Sequence, residues 1–536
     1  MNWLRGTKGM LLLAAMAMSG TTCTLLLDHN AVQCKTNADC NGLGTYPLCD
    51  NGLCKPSGLM PKKCFPITPS SSPPSIPTTQ VNFLDSCSTN AMVDIASDNA
   101  DNICLSPTTK PDDGMTLKMP PAAMTTPPKA PATPTMMCSQ LAMGKPILYL
   151  SGSSNFAPLL QELAQVVVND TGIMPVFRTT TSCTGVKSMN STSPTYSSDH
   201  YIKDPNFKDP NEPFPTYAQA FQGDGGAPVP CLLGTPTEVN IGESEIAPDT
   251  CGTSNPSDSV IESLGPILPI IFVVPKYSTQ KAISSEAARQ VFGGGGSVAS
   301  GGGGTVAPWG DPRYLFIRGQ GTATLRLVAN QIGLPLNQFW GTDQGSAAAM
   351  ANNLGNLTTP NEANAALGII GTDYYDQVEN RDRLKALGFK AAGQACAYLP
   401  DSSLTSRDKI NVRDGHYPLW GRIHFYAARA NGAIVSPTAD AFLKLFANPV
   451  LPADIFAALI KAGFVPPCAM RVTRTTELGD FTYAVPPATA CGCAFDAQVG
   501  VTPLDPACTT CTADIDCAGS APRTKCRYGY CEAESS

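Results

Sequence analysis

Apolar runs of strand length alternate with helical patterns from Lys145 onward. The segments PILYL, MPVFRTTT, LGPILPIIFVVP, YLFIR and LGIIG have the length and composition of buried strands. Between them, APLLQELAQVVVND, SSEAARQVF, TATLRLVANQIG and PTADAFLKLFA fit amphipathic helices. Strands that alternate with helices are typical of a parallel sheet with crossover helices. The pattern therefore predicts an α/β domain over about residues 141–467.

Other stretches break this pattern. Residues 55–140 are rich in Pro, Ser and Thr, which favours an extended linker, and Cys64, Cys87, Cys104 and Cys138 are candidates to staple parts of it. The run GGGGSVASGGGG, from Gly293 to Gly304, predicts a flexible surface loop within the α/β domain. A connector with its own cysteines is expected over residues 468–507.

The cysteines contain an internal repeat. Four cysteines separated by five, eight and four residues occur twice, as Cys34, Cys40, Cys49 and Cys54 and as Cys511, Cys517, Cys526 and Cys531. The repeat predicts two small modules, over residues 23–54 and 508–536. Segments this short cannot bury a useful core, so two disulfides are expected in each. A four-cysteine zinc site is the alternative, but the repeat lacks C-x-x-C pairs.

One C-x-x-C spacing does occur, at Cys508 and Cys511. Because Cys511 already belongs to the repeat, we interpret this pair as proximity along the chain and not as a redox motif.

The first residues have the features of an export signal. Arg5 and Lys8 precede an apolar run from Met10 to Met18, which is too short to span a bilayer. We therefore expect a signal peptide over residues 1–22, with the mature protein in the periplasm or at the surface of a bacterium. Cys23 stands where a bacterial lipoprotein is acylated, although Thr22 departs from the small residue usual there, so a lipid anchor and a simply cleaved leader both remain open. No second apolar stretch of membrane-spanning length follows.

Charge and motif content exclude several functions. The 43 acidic and 36 basic residues give a formal net charge of −7, which is unsuited to a nucleic-acid surface. Four histidines occur, at His29, His200, His416 and His424, and we find no G-x-S-x-G, H-E-x-x-H or P-loop pattern. The chain is therefore predicted not to be an enzyme, and no cofactor or metal is expected.

Four local patterns could bind an anion, and each has a simpler interpretation. LYLSGSSNFAPLLQELA and TTTSCTGVKS are strand-to-helix turns of small and hydroxyl residues, where free backbone amides favour negative charge, although Ser154 or Asn155 could serve only as a helix cap. IRGQGTATLRL places Arg318 before the hydroxyls of Thr322 and Thr324, a good oxyanion clamp if the arginine is buried. VNIGESEIAP offers Glu245, whose simpler interpretation is an exposed loop carboxylate.

Taken in order, these motifs are similar to those of a known family. The region from Lys145 to Pro467 resembles the phosphate-binding protein of bacterial ABC phosphate importers, through SGSSNFAPLLQELA, TSCTGVKS, NIGESEIAP, ISSEAARQVF, APWGDPRYLFIRGQGTAT, ALGIIGTDYY and VRDGHYPLWGRIHFYA. The resemblance implies an α/β, two-lobed periplasmic-binding-protein fold with a ligand cleft between the lobes, flanked here by small disulfide-rich modules. It places the phosphate ligands on Asn155, Phe156, Ser182, Glu245, Arg318, Thr322, Ala323 and Thr324.

The resemblance also has departures. Glu245 replaces the usual Asp, GTAT replaces GSGT, and Cys183 stands beside the ligand Ser182 before an insertion over residues 187–238. We predict a disulfide from Cys183 to Cys231 or Cys251. The function implied is extracytoplasmic capture of phosphate or a similar oxyanion, for an ABC permease or for retention. The alternative is a cell-surface adhesion or scaffold protein that carries a degenerate binding domain.

Overall fold

The computed structural model describes residues 134 and 136–534, apart from 190–216, 224–226, 234–237, 253–257, 295–307, 449, 475, 478, 480 and 484–488. Before residue 105 it describes four short strands. The expected signal peptide, Cys23, His29, His200, nearly all of the Pro-rich linker and the Gly-rich loop after Gly294 lie outside these residues. The chain divides into two compact units, residues 1–60 and 61–536.

The strands occupy these ranges: β1 Leu48–Asp50, β2 Leu53–Lys55, β3 Cys64–Pro66, β4 Asn102–Cys104, β5 Ile147–Ser153, β6 Met174–Thr180, β7 Tyr217–Ala220, β8 Val229–Leu232, β9 Ile241–Ser244, β10 Val260–Pro275, β11 Ala282–Ser284, β12 Leu315–Ile317, β13 Thr342–Asp343, β14 Leu367–Gly371, β15 Leu384–Ala386, β16 Gly388–Lys390, β17 Trp420–Ala430, β18 Ala433–Ile434, β19 Val472–Thr473, β20 Thr482–Tyr483, β21 Lys525–Arg527 and β22 Tyr530–Glu532. The helices are α1 Cys138–Ala142, α2 Phe156–Thr171, α3 Ser182–Met189, α4 Ser285–Gly294, α5 Ala323–Gln331, α6 Ala347–Gly355, α7 Pro360–Ala365, α8 Thr372–Tyr375, α9 Val378–Arg381, α10 Ile410–Arg413, α11 Pro437–Lys444, α12 Ala453–Lys461 and α13 Gly492–Gln498.

One long strand, β10, belongs to both lobes of the α/β body. Its residues Val260 to Pro269 pair with β17, whereas Ile270 to Val273 pair with β14. The sheet order is β13-β12-β14-β10-β17-β9-β5-β6-β7-β8. The first lobe therefore contains β5–β9, β17 and the start of β10, and the second contains β12–β14 and the end of β10. This confirms the predicted α/β fold with two lobes.

The sheet is mixed, in contrast to the parallel sheet expected from the pattern. β5 runs parallel to β6 and β9, and β12 runs parallel to β14, as crossover helices require. β10, however, is antiparallel to both β14 and β17. Because β17 is antiparallel to both β9 and β10, β10 runs in the direction of β9 in the first lobe, whereas it runs against β12 and β14 in the second.

Each lobe has its own aromatic cluster. In the first, the ring of Phe156 on α2 lies 5.7 Å from that of Phe177 and 5.6 Å from that of Phe425. In the second, the ring of Phe272 on β10 lies 5.3 Å from that of Phe389 and stacks on Phe292 at 6.3 Å. The apolar stripe predicted for α2 is buried, through Leu159, Leu160, Leu163, Ala164 and Val167. Both aromatic clusters belong to one continuous hydrophobic core that runs through the two lobes.

Six disulfides join described cysteines. Cys183 pairs with Cys251, one of the two partners predicted for it, so the expected disulfide of Cys183 is confirmed. Cys138 pairs with Cys231, so the suggestion that it staples the Pro-rich linker is wrong: it lies at the start of α1 and closes a loop against β8. In the connector, Cys468 pairs with Cys491, and Cys493 pairs with Cys508 at the start of the C-terminal module.

The C-terminal module has the two disulfides predicted for it, Cys511–Cys526 and Cys517–Cys531. Cys508 and Cys511 belong to different bridges, which confirms that they are not a redox pair. The hairpin β21–β22 places Cys526 opposite Cys531, and β1–β2 places Cys49 opposite Cys54 in the same register. The cysteine repeat is therefore also a repeat of backbone structure.

The C-terminal module packs on the α/β body. Tyr528 stacks on Phe456 of α12 with ring centroids 4.3 Å apart, and its hydroxyl donates to the carbonyl of Leu451. The guanidinium of Arg413 pairs with Asp496 of α13. No helix among the described residues is both long and apolar enough to cross a membrane.

Candidate functional site

The predicted ligand residues lie just after the ends of strands in the two half-sheets. Asn155 caps α2 directly after β5, Ser182 begins α3 after β6, and Glu245 follows β9, all in the first lobe. Arg318 follows β12 and Thr322 caps α5, both in the second lobe. All eight predicted residues are buried. The exposed-residue interpretations of Arg318 and Glu245 are therefore wrong.

Hydrogen bonds between the lobes bring these residues together. The backbone amide of Ala323 donates to Ser182 Oγ over 2.8 Å, and Asn155 Nδ2 donates to Thr324 Oγ1 over 3.0 Å. The guanidinium of Arg318 donates through Nη2 to Ser154 Oγ over 3.1 Å. The cleft is therefore closed, and polar groups of one lobe satisfy those of the other.

Some of the predicted residues already have local structural roles. Thr322 Oγ1 accepts from the amide of Leu325 and donates to the carbonyl of Gly319, so this hydroxyl serves as a helix cap. The ring of Phe156 is in the core of the first lobe, which limits any contact it makes in the cleft to its backbone. The amide of Ala323, at the start of α5, is the first-turn group that points across the cleft.

Arg318 has spare hydrogen-bonding capacity. Only 2% of its surface is exposed, Nη2 contacts Ser154 and the carbonyl of Gly345, and Nε and Nη1 are buried without a partner. Burial lowers the pKa of this guanidinium, and the nearby carboxyls of Glu245 and Asp373 oppose that effect. A buried arginine that leaves two donors unsatisfied is costly, so it calls for an acceptor that the chain does not itself supply.

Glu245 lies beside Ser182 and within the field of Arg318. Its Oε2 accepts from Ser182 Oγ over 2.6 Å, while Oε1 is buried without a partner. Burial raises the pKa of this carboxyl, and the hydroxyls of Ser153 and Ser182, together with the charge of Arg318, lessen that rise without removing it. Glu245 is thus the acidic group of the site with the most support for its negative charge.

Two further buried carboxyls were missed by the sequence reasoning. Glu243 Oε2 accepts from the amide of Ser153 over 2.8 Å, whereas Glu243 Oε1 and both oxygens of Asp373 have no partner. Burial, followed by the charge of Glu245, raises the pKa of both groups well above their usual range. Glu243 lies on β9, two positions before Glu245, which directly follows that strand, so the period-two rule could have found it. Asp373 lies within the motif ALGIIGTDYY but carried no pattern of its own.

The histidines and metal ligands lie elsewhere. His416 stacks on Tyr398 with ring centroids 4.9 Å apart, and His424 Nδ1 lies 2.7 Å from Glu262 Oε1. Both are packed side chains, as expected. Among the described residues, the single close group of potential metal ligands is Cys511, Cys517 and Cys531, whose sulfurs are all in disulfides.

A half-open cavity of about 390 Å³ lies outside the cleft. Its lining includes Glu262, Trp420, Arg422, His424 and Glu477, and none of the predicted phosphate ligands. Arg474 also lines this cavity, and its guanidinium lies 3.7 Å from the ring centroid of Trp420 and 4.6 Å from that of Phe481.

Comparison with known proteins gives likenesses at the level of solved structures. No family model matches the chain, and no curated protein matches it. A phosphate ABC transporter substrate-binding protein from Clostridium perfringens, solved with bound phosphate, is 12% identical with a TM-score of 0.38, over 60% of this chain and 99% of that one. An ABC-type phosphate transport receptor from Vibrio cholerae is 12% identical with a TM-score of 0.35, over 60% and 100%. A phosphate-binding protein from Stenotrophomonas maltophilia is 13% identical with a TM-score of 0.36, over 60% and 90%. At such identities and TM-scores, the functional proposal rests on the residues of the cleft.

Proposed function

We propose that this chain is an extracytoplasmic solute-binding protein that captures an oxyanion, inorganic phosphate above others, between its two lobes. One observation carries the proposal: Nε and Nη1 of Arg318 are buried without a partner where the starts of α2, α3 and α5 converge. A guanidinium fork beside hydroxyls and helix N-termini is well suited to an oxyanion.

The ligand would take the place of the hydrogen bonds between lobes. When the cleft opens, Ala323 N, Ser182 Oγ, Asn155 Nδ2 and Thr324 Oγ1 lose their partners across the cleft. Phosphate oxygens can accept from Ala323 N, Asn155 Nδ2, Thr324 Oγ1 and Arg318, while Ser182 keeps its single proton for Glu245, so closure on phosphate satisfies these donors. Because the net charge of −7 repels anions at a distance, this local set of donors must supply the attraction.

Glu245 would select among oxyanions. Phosphate near neutral pH still carries a proton and can donate to a carboxylate, whereas sulfate can only accept. A charged Glu245, supported by Ser182 and Arg318, would accept that hydrogen bond from phosphate and repel sulfate.

The remaining parts of the proposal concern location and partners. Disulfides among the described cysteines support an exported protein, since such bonds persist in oxidising compartments. We propose removal of residues 1–22, with a membrane permease as the receiver of the ligand and Cys23 as a candidate lipid anchor. The organisation proposed is a binding domain over 141–467, a connector over 468–507 and a Cys-rich module over 508–536.

The test is retention of phosphate by the purified protein. Native mass spectrometry of undialysed protein, followed by radiolabelled phosphate retention, should show one anion per chain. Arg313→Ala is the matched control for Arg318→Ala, because the side chain of Arg313 is 80% exposed and pairs with its neighbour Asp311. Folded wild-type protein that retains no phosphate would favour the adhesion or scaffold alternative, and hydrolysis of a phosphate ester would favour an enzyme.

A further inference from the structure

The closed cleft contains more carboxyl groups than an anion site needs. Glu243, Glu245 and Asp373 share it with one cation, Arg318, and each of these four residues has at most 2% of its surface exposed. Four carboxyl oxygens, Glu243 Oε1, Glu245 Oε1 and both of Asp373, have no partner. Arg318 Nε and Nη1 are equally without partners, which points to a ligand in the same space.

These carboxyls are not arranged as a metal cage. The oxygen atoms of Glu243, Glu245 and Asp373 do not converge as closely as ligands of one ion must, since the described residues contain only the disulfide cysteines as such a group. A bound cation therefore does not account for the acidic excess. Protons are the remaining means of neutralising it.

We propose that Glu243 and Asp373 are further recognition residues, and that they couple oxyanion capture to proton uptake. This inference rests on the proposed function, because it concerns the same cleft. In the open cleft both side chains are solvated and ionised. On closure around the anion, each carboxylate takes one proton from solvent, and the resulting O–H donates to a ligand oxygen.

The surroundings of the two residues favour this protonation over ion pairing. Glu243 faces Glu245, which follows its strand, and Asp373 on α8, and the amide of Ser153 accounts for only one of its oxygens. Asp373 faces Glu245 and Arg318. Arg318 is shared in turn with Glu245, Tyr374 and Asp343. In a buried site, one guanidinium cannot neutralise three carboxylates and an incoming anion.

Glu245 is the carboxyl that stays charged. It alone receives the Ser182 hydroxyl, and this bond and the charge of Arg318 limit the rise in pKa that burial causes. For Glu243 and Asp373, burial raises the pKa well above the usual range in the closed form. The closed form therefore binds more protons than the open form, so phosphate affinity is greatest at low pH and falls as pH rises.

The experiment is calorimetric titration of full-length protein with inorganic phosphate at pH 5.5 to 8.5, in pairs of buffers that differ in ionisation enthalpy. Proton uptake per bound phosphate should be larger in wild type than in Glu243→Gln/Asp373→Asn, by up to two protons, and each single variant should lose part of that difference. Each proton removed should flatten the decline of affinity by about tenfold per pH unit. Asp440→Asn, an exposed carboxylate of α11 paired with Lys444, is the control and should behave as wild type.

The outcomes separate the two proposals. Absence of phosphate binding by folded wild-type protein at every pH would overturn the proposed function. Binding with equal proton uptake in wild type and in the folded variants would overturn only the coupling. Loss of phosphate binding on addition of a chelator would show a requirement for a divalent cation and would likewise overturn only the coupling. Gln and Asn copy the shape of the protonated acids, so the variants should fold, and near-UV circular dichroism will verify this. If the double variant does not fold, the two single variants decide the question.

Discussion

The hydroxyl of Ser182 and the carboxyl of Glu245 lie 2.6 Å apart, joined by a hydrogen bond that spans 63 positions of sequence. The same hydroxyl oxygen accepts from the amide of Ala323 in the other lobe. Ser182 thus links the proposed selecting group to the helix that closes the cleft. Loss of this hydroxyl would affect both the ionisation of Glu245 and the position of α5.

Removal of the Arg318 side chain should abolish most of the phosphate affinity. Arg318→Ala removes the only guanidinium among the predicted ligands and leaves a buried anion without its cation, a loss on the order of 2 to 5 kcal/mol. Calorimetry on folded protein measures it, with Arg313→Ala expected to bind as wild type does. An Arg318→Ala protein with unchanged affinity would disprove the site assignment.

Glu245→Gln should reduce discrimination between phosphate and sulfate. The amide removes the negative charge that repels sulfate and adds an N–H donor that sulfate can accept. We expect the change to come chiefly from improved sulfate binding. Competition titrations of the two anions against wild type and variant give the ratio, and an unaltered ratio would show that another group selects.

Ser182→Ala should raise the pKa of Glu245 further and weaken phosphate binding. The hydroxyl is one of the groups that holds this pKa down against burial, and its loss also leaves the Ala323 amide without an acceptor. With the pKa raised, Glu245 loses its charge at a higher pH. As pH is lowered, discrimination against sulfate should therefore begin to decline at a higher pH in the variant than in wild type. Selectivity measured from pH 5 to 8 tests this, and superimposable curves would contradict it.

The Cys183–Cys251 disulfide should matter for binding as well as for stability. Replacing both cysteines by Ser should lower the free energy of unfolding by about 2 to 5 kcal/mol, and it should also weaken phosphate binding because Cys183 directly follows Ser182. Removal of Cys138–Cys231, which lies away from the cleft, should cost similar stability while affinity is retained. Equal effects of the two removals on affinity would contradict a local role for Cys183.

His424 should make stability depend on pH. Burial disfavours its charged form, but the hydrogen bond with Glu262 and the charge of Glu477, which lies 3.7 Å from Nε2, outweigh this and raise its pKa. The stabilisation from the charged imidazole is therefore fully present below about pH 6.5, the usual value for His, and is lost as pH rises through the raised value. Urea unfolding of wild type and His424→Gln between pH 5.5 and 8.5 should show a steeper decline in wild type. Parallel profiles would exclude this role.

The sequence predicted most of the fold because each apolar run is long and bounded by turns. PILYL, MPVFRTTT and LGIIG became β5, β6 and β14, and APLLQELAQVVVND became α2. The direction of β10 and its division between lobes could not be predicted, since an apolar run carries no information about its partners. The pairing of Cys138 with Cys231 was missed for the same reason: contacts that are distant in sequence leave no local pattern.

The fold brings together residues that the sequence predicts as ligands, and their role in binding stays a prediction, whereas the acidic charge beside them was not predicted. Hydroxyl-rich turns before helices and Arg318 gave distinct local patterns, whereas Glu243 and Asp373 are acidic residues of a kind that most often faces solvent. Both are nonetheless buried, which only the folded chain shows.

The hydrogen bonds between the lobes compete with phosphate for some of the donors that phosphate would use. The amide of Ala323 and Asn155 Nδ2 are held by the opposite lobe, so phosphate must displace these two contacts, whereas Arg318 Nε and Nη1 are not held by the chain. The apparent affinity is then the intrinsic affinity multiplied by the fraction of molecules that are open. A protein built in this way can hold phosphate firmly in its closed form and yet require an appreciable concentration of phosphate before it loads.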